Sequence, residues 1–170
     1  MNATRILVPL DGSGLAETAL AAAADMARPG AGTLILIRAA QSRVRPGVDP
    51  INAQIEVVQE AELYLAAVKD KLDKQGGREV QTGVWYGPAA SAIIDAAKLY
   101  RADLIVMSTH GRSGVGRLIF GSVAESVLRG TTVPIFLLRP AGAPVERPAE
   151  GAPARPVSGP EPRSKTEALR

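Results

Sequence analysis

Five short runs of large apolar residues, separated by stretches that include helical ones, constrain this chain more than any single residue does. The runs are Arg5–Leu10, Thr33–Ala39, Val80–Trp85, Asp103–Ser108 and Val133–Leu138. They are continuous rather than alternating in hydrophobicity, which marks strands buried on both faces, and the segments between them are long enough for crossover helices. The expected fold is therefore α/β: a doubly wound five-stranded parallel sheet with helices on both faces. With strand order 3-2-1-4-5, the first and fourth strands are neighbours. A ligand would then sit outside their carboxyl ends, where the order of the sheet reverses.

The helices carry their own signals. Leu15–Arg28 is rich in alanine and closed by Pro29-Gly30, and Ser13 is placed to cap its start. Ile51, Ile55, Val58, Ala61, Leu65, Val68 and Leu72 recur at spacings of three and four, so a long amphipathic helix should bury that stripe and end near Gly76-Gly77. Gly87-Pro88 opens a helix to Tyr100, with the proline at the first helical position. A short helix is expected over Val123–Arg129.

At 170 residues and 46% hydrophobic content, the chain has room for one core. Beyond Arg139 the composition changes: Pro140–Arg170 holds seven of the thirteen prolines and almost no large apolar side chains. Residues 1–139 are accordingly expected to fold, and 140–170 to remain a disordered, proline-rich tail that cannot offset its ordering entropy.

The absence of cysteine excludes disulfides, a thiolate nucleophile and cysteine-held metals, and His110 is the single histidine. A net charge of +3 and 4% aromatic residues favour no nucleic-acid partner. The run Ile6-Leu7-Val8, closed by Pro9, is too short for a secretion signal, and no stretch reaches membrane-spanning length. The expected location is the cytoplasm.

Two segments leave strands at the reversal point with unusual chemistry. One is Asp11-Gly12-Ser13-Gly14 and the other Ser108 to Ser122, whose glycines let backbone amides approach a ligand. Gly121-Ser122 stands where the next helix begins. Unpaired amides and the positive end of the helix dipole meet there, which suits phosphate, and Arg112 and Arg117 lie within the same loop.

From Ile6-Leu7-Val8-Pro9-Leu10-Asp11-Gly12-Ser13 through Ala102–Met107 to Val133-Pro134-Ile135-Phe136-Leu137-Leu138, the chain resembles the universal stress protein family, many of whose members bind ATP. The family's ATP signature is glycine, two residues, glycine, nine residues, glycine and serine or threonine. Gly111, Gly121 and Ser122 match it, whereas Ser108 stands in place of the first glycine. A left-handed backbone at that position would cost serine roughly 1–2 kcal/mol, and an extended one little. The resemblance implies that Pro9 and Asp11 close the first strand, Asp11 lying near the ribose or a bound Mg2+ or Mn2+ ion. Ala39 would offer backbone groups to adenine and Met107 would line the base pocket. Ser108, Gly111, Gly121, Ser122 and Val123 would surround the phosphates. It also implies a homodimer formed through strand Val133–Leu138, whose apolar edge is otherwise uncovered.

Each of these residues has a plainer competing role. Ser122 and Glu125 have the spacing of a capping box, Asp11 can stabilise the turn before Ser13, and Met107 can belong to the core. Neither a GxxxxGK[ST] loop nor a GxSxG nucleophile elbow occurs. With no positioned base for water, hydrolysis is expected to be slow or negligible, and the natural role is that of a nucleotide-responsive stress regulator. The alternative is a nucleotide-free dimeric interaction or chaperone-like module on the same fold.

Overall fold

In the computed structural model, residues 3–42, 47, 49–76, 78–109 and 121–139 are described. The elements run β1 (Arg5–Pro9), α1 (Gly14–Met26), β2 (Thr33–Ala40), α2 (Pro50–Gln75), β3 (Glu79–Tyr86), α3 (Ala89–Leu99), β4 (Leu104–Ser108), α4 (Ser122–Gly130) and β5 (Ile135–Leu138). All neighbouring strands are parallel, in the order β3-β2-β1-β4-β5. The doubly wound sheet expected from the sequence is the one observed. The proline-rich tail lies outside the described residues.

Alternate strand residues feed two cores. Ile6, Val8, Leu34, Leu36, Leu104 and Val106 meet the alanine face of α1 and Leu65 and Val68 of α2. Leu7, Ile35, Ile37, Ile105 and Met107 meet Ile93, Ala96 and Ala97 of α3 and Ala124 and Val127 of α4. Small residues on α1 and α3 let both helices approach the sheet closely, so the apolar strands are sealed on both sides. The two faces are thereby taken up by packing, and polar chemistry is left to the strand ends.

Several element ends differ from the sequence expectation, for identifiable reasons. Pro88 is the N-cap of α3 rather than its first helical residue, with ψ 134°. Pro50 instead takes the first-turn position, in α2, behind Asp49, whose carboxylate accepts from the Ile51 amide at 2.9 Å. β5 begins at Ile135 rather than Val133, because Pro134 has no N–H for the ladder; its carbonyl still accepts from the Ile105 amide at 2.9 Å.

The stripe expected on α2 is buried only in part. Ala61, Leu65 and Val68 are buried, whereas Ile51 is 69% and Ile55 47% exposed. A 26-residue helix spans about 39 Å at 1.5 Å per residue, and the eight-residue strands it covers span about 26 Å. Its first turns therefore overhang the sheet.

At the amino end, Asp103 ties the outer turns together. Its carboxylate accepts from the Thr4 amide (2.9 Å), the Thr4 hydroxyl (2.6 Å) and the Arg5 amide (3.2 Å). Replacing Asp103 by alanine should lower the free energy of unfolding by roughly 1.5 kcal/mol, the lower end for bonds to a charged group, because the carboxylate is solvent-exposed. Urea unfolding at neutral pH measures this, with Asp103→Asn expected to fall between the two.

Candidate functional site

The sheet reverses between β1 and β4, which pair through Ile6–Leu104 and Leu7–Ile105 and then send their chains in opposite directions. A cleft of about 230 Å³ opens at their carboxyl ends. Pro9, Asp11, Ala39, Met107, Ser108, Gly121, Ser122 and Val123, all singled out from the sequence, line it together. Gly111 lies outside the described residues, as do His110, Arg112 and Arg117. Leu10, Ala16, Ile37, Ala89, Ile93 and Thr109 also line the cleft without having been singled out. Ala89 and Ile93, one turn apart on α3, were readable as a helix face but not as a ligand-facing one.

Asp11 begins the turn from β1 into α1. Its Oδ1 accepts from the Ser13 amide at 2.9 Å and from the Ser13 hydroxyl at 2.6 Å, and Ser13 Oγ in turn accepts from the Ala16 amide at 3.2 Å. The turn-stabilising role and a place in the cleft thus coexist in one carboxylate. Gly12 between them has φ +86°, a conformation that L residues adopt at a cost. Among the described residues no cluster of three or more His, Cys, Asp or Glu is placed to hold a metal ion.

Opposite Asp11 is the start of α4, and here the capping box is not formed. Gly121, not Ser122, is the N-cap, and no side chain caps this end. The Gly121 amide bonds to the Thr109 carbonyl at 2.9 Å, and its own carbonyl accepts from the Glu125 amide at 3.0 Å. A Cβ on Gly121 would lie 2.5 Å from the Thr109 oxygen, so only glycine allows this close approach. The helix consequently starts one residue earlier than the box requires, and Glu125 turns to Arg129 at 2.9 Å. The amides of Ser122, Val123 and Ala124 precede the first intrahelical bond, and all three residues line the cleft. Their N–H groups and the helix dipole form an anion-attracting end over an otherwise apolar floor of Ile37, Ile93 and Met107.

Ser108, the departure from the signature glycine, is the last residue of β4 and pairs with Leu138 of β5. Its backbone is extended; among the described residues the sole non-glycine with positive φ is Arg101. Serine is therefore unstrained at this position, and its presence costs the backbone nothing.

Beyond Asp11 and Ala39, on the α2 side, the cleft adjoins a more polar groove of about 460 Å³ lined also by Arg38, Gln41, Val57 and Glu60. Arg38 escaped the sequence reading, although a lone charge within Leu34-Ile35-Leu36-Ile37-Arg38-Ala39-Ala40 was a signal. Nearby, Tyr64 donates to Glu17 Oε1 at 3.0 Å. Burial, the Glu17 bond and neighbouring carboxylates push the Tyr64 phenol well above its ordinary range, so it stays a neutral donor.

An α/β domain with a cleft at its switch point, apolar below and with helix-end amides at one rim, belongs to the class of open, doubly wound parallel-sheet proteins. The model of the universal stress protein family matches residues 2–139. A universal stress protein of Methanocaldococcus jannaschii, MJ0531, is 29% identical over 140 residues, covering 79% of this chain and 81% of the relative. The structure of the hypothetical protein MJ0577 superposes with a TM-score of 0.70 at 23% identity, over 82% of this chain and 97% of that one. A universal stress protein solved in complex with cAMP superposes at 0.57 with 21% identity, over 81% and 98% of the two chains. This chain belongs to the universal stress protein family.

Because Ser108 is extended, Ser108→Gly should destabilise the protein by about 0.5–1 kcal/mol through added freedom of the unfolded chain. A gain in melting temperature on that substitution would show that the serine is strained.

Proposed function

We propose that this protein binds ATP in the cleft at the carboxyl ends of β1 and β4 and acts as a nucleotide-responsive stress regulator in the cytoplasm. The observation that carries the reading is the row of uncommitted amides at Ser122, Val123 and Ala124, at the rim of a cleft whose lining also includes the apolar side chains Ile37, Ile93 and Met107. A nucleotide has the matching asymmetry, an anionic end joined to a flat apolar one. In this reading the phosphates lie against Gly121, Ser122 and Val123, with Gly111 and Ser108 beside them. The base lies among Ala39, Ile93 and Met107, and Asp11 faces the ribose. The cAMP held by a related protein supports a ligand of this class.

A divalent ion, Mg2+ or Mn2+, would arrive with the phosphates. Asp11 would supply the carboxylate that holds it, and the ion would offset the phosphate charge. With no side chain assigned to activate water, turnover is at most slow. We also propose a homodimer through strand Val133–Leu138, supported by Phe136 on this sheet edge, which is 39% exposed. Among the described residues no helix is long and apolar enough to cross a membrane.

Ser122→Pro isolates the amide contribution. Gly121 has ψ 148°, the extended geometry that a following proline favours, and the first helical position tolerates the missing N–H. The variant should melt within a few degrees of the parent. Its affinity for Mg-ATP by titration calorimetry should drop about 10- to 100-fold, the equivalent of roughly 1.5–3 kcal/mol. A flat titration of the parent chain rejects the nucleotide reading and favours the interaction module, whose support is the exposed apolar pair Ile51 and Ile55. Light scattering should give twice the chain mass for the parent and the single-chain mass for Phe136→Asp.

A further inference from the structure

Arg38 is the only buried charged side chain among the described residues, 7% exposed in a strand that is otherwise apolar. Its Nη2 bonds Glu60 Oε1 at 2.8 Å, and its Cζ lies 5.0 Å from the centre of the Tyr64 ring, so α2 grips the guanidinium from two residues one turn apart. The turn that carries Asp11 also comes beside the guanidinium. A Cβ on Gly12 would sit 3.5 Å from Cζ and Nη2 and 3.6 Å from Nη1, in ordinary van der Waals contact, so the face of the guanidinium flanks the Gly12 position. Asp11 and Arg38 line the same groove, and Asp11 and Ala39 belong both to that groove and to the cleft. Strand packing gives no reason for a cation there: Leu34 and Leu36, on the same face of β2, are apolar and fully buried.

We propose that Arg38 is a positioning residue of the site: held by Glu60 and Tyr64 and packed beside the Gly12 turn, it fixes the Asp11–Ser13 turn and thereby aims the Asp11 carboxylate into the cleft. The ligand it serves rests on the nucleotide reading above; the packing itself does not. The charge of Asp11 acts on Tyr64 to raise its affinity for its proton and that of Arg38 acts to lower it, in keeping with both groups converging on the ring. Arginine suits the task because it is planar, stacks on an aromatic ring and keeps its charge when buried.

The experiment uses the full chain and two readouts. Without nucleotide, hydrogen exchange of the Ser13 amide, the donor to Asp11, should accelerate at least tenfold in Arg38→Met relative to amides of Ile35–Ile37. With Mg-ATP, calorimetry should show at least a tenfold loss in Arg38→Met, and no further loss when Arg38→Met is added to Asp11→Ala. Val68→Ala, a core truncation on the same helix, is the control: it should lower the melting temperature and leave both readouts unchanged. If Arg38→Met fails to fold, Tyr64→Leu removes the ring beneath the guanidinium and carries the same expectations. A protected Ser13 amide in the variant, or additive losses with Asp11→Ala, overturns the proposal. A parent chain that does not bind ATP overturns the nucleotide reading, and the exchange arm then decides the role of Arg38 by itself.

Discussion

A parallel sheet sealed on both faces leaves a protein only its strand ends for chemistry, and every feature of this site follows from that restriction. Side chains along β1, β2 and β4 are committed alternately to one core or the other. Only where the strands stop can backbone amides and short polar side chains face solvent. The reversal between β1 and β4 then separates the outgoing chains, and the gap they leave is the cleft. The site is a consequence of topology before it is a consequence of any residue.

Within that gap, two glycines do the shaping. Gly12 turns the β1–α1 connection through a φ of +86°, and Gly121 brings the first turn of α4 against the Thr109 carbonyl. The first is demanded by its left-handed backbone and the second by a neighbouring oxygen, and each sets the direction of a group at the rim: a carboxylate at one place and a row of amides at another. Opposed negative and positive ends across an apolar floor give the cleft polarity along its length, the property on which the nucleotide reading depends.

The fold was legible because continuous apolar runs and helical spacing are written into neighbouring residues. The strand order was an expectation for a doubly wound sheet and is the one observed, and the motif residues Ser108, Gly121 and Ser122 line one cleft. What eluded the sequence depended on three-dimensional lengths and approaches. The heptad-like stripe of α2 predicted burial for Ile51 and Ile55, but a helix outlasting its strands cannot cover them. Ser122 and Glu125 have the spacing of a capping box, yet the contact of Gly121 with Thr109 moves the helix start by one residue. Arg38 was visible as an anomaly in a strand, but its partners Glu60 and Tyr64 and its place beside the Gly12 turn are set only by the tertiary packing.

The extended backbone of Ser108 has an evolutionary reading as well. An extended position takes serine without strain and glycine for only about 0.5–1 kcal/mol, so the fold sets a low barrier between them and exchange there alters chiefly what lines the cleft. A sequence could cross that boundary and change the cleft wall by one hydroxyl while the architecture around it stays constant.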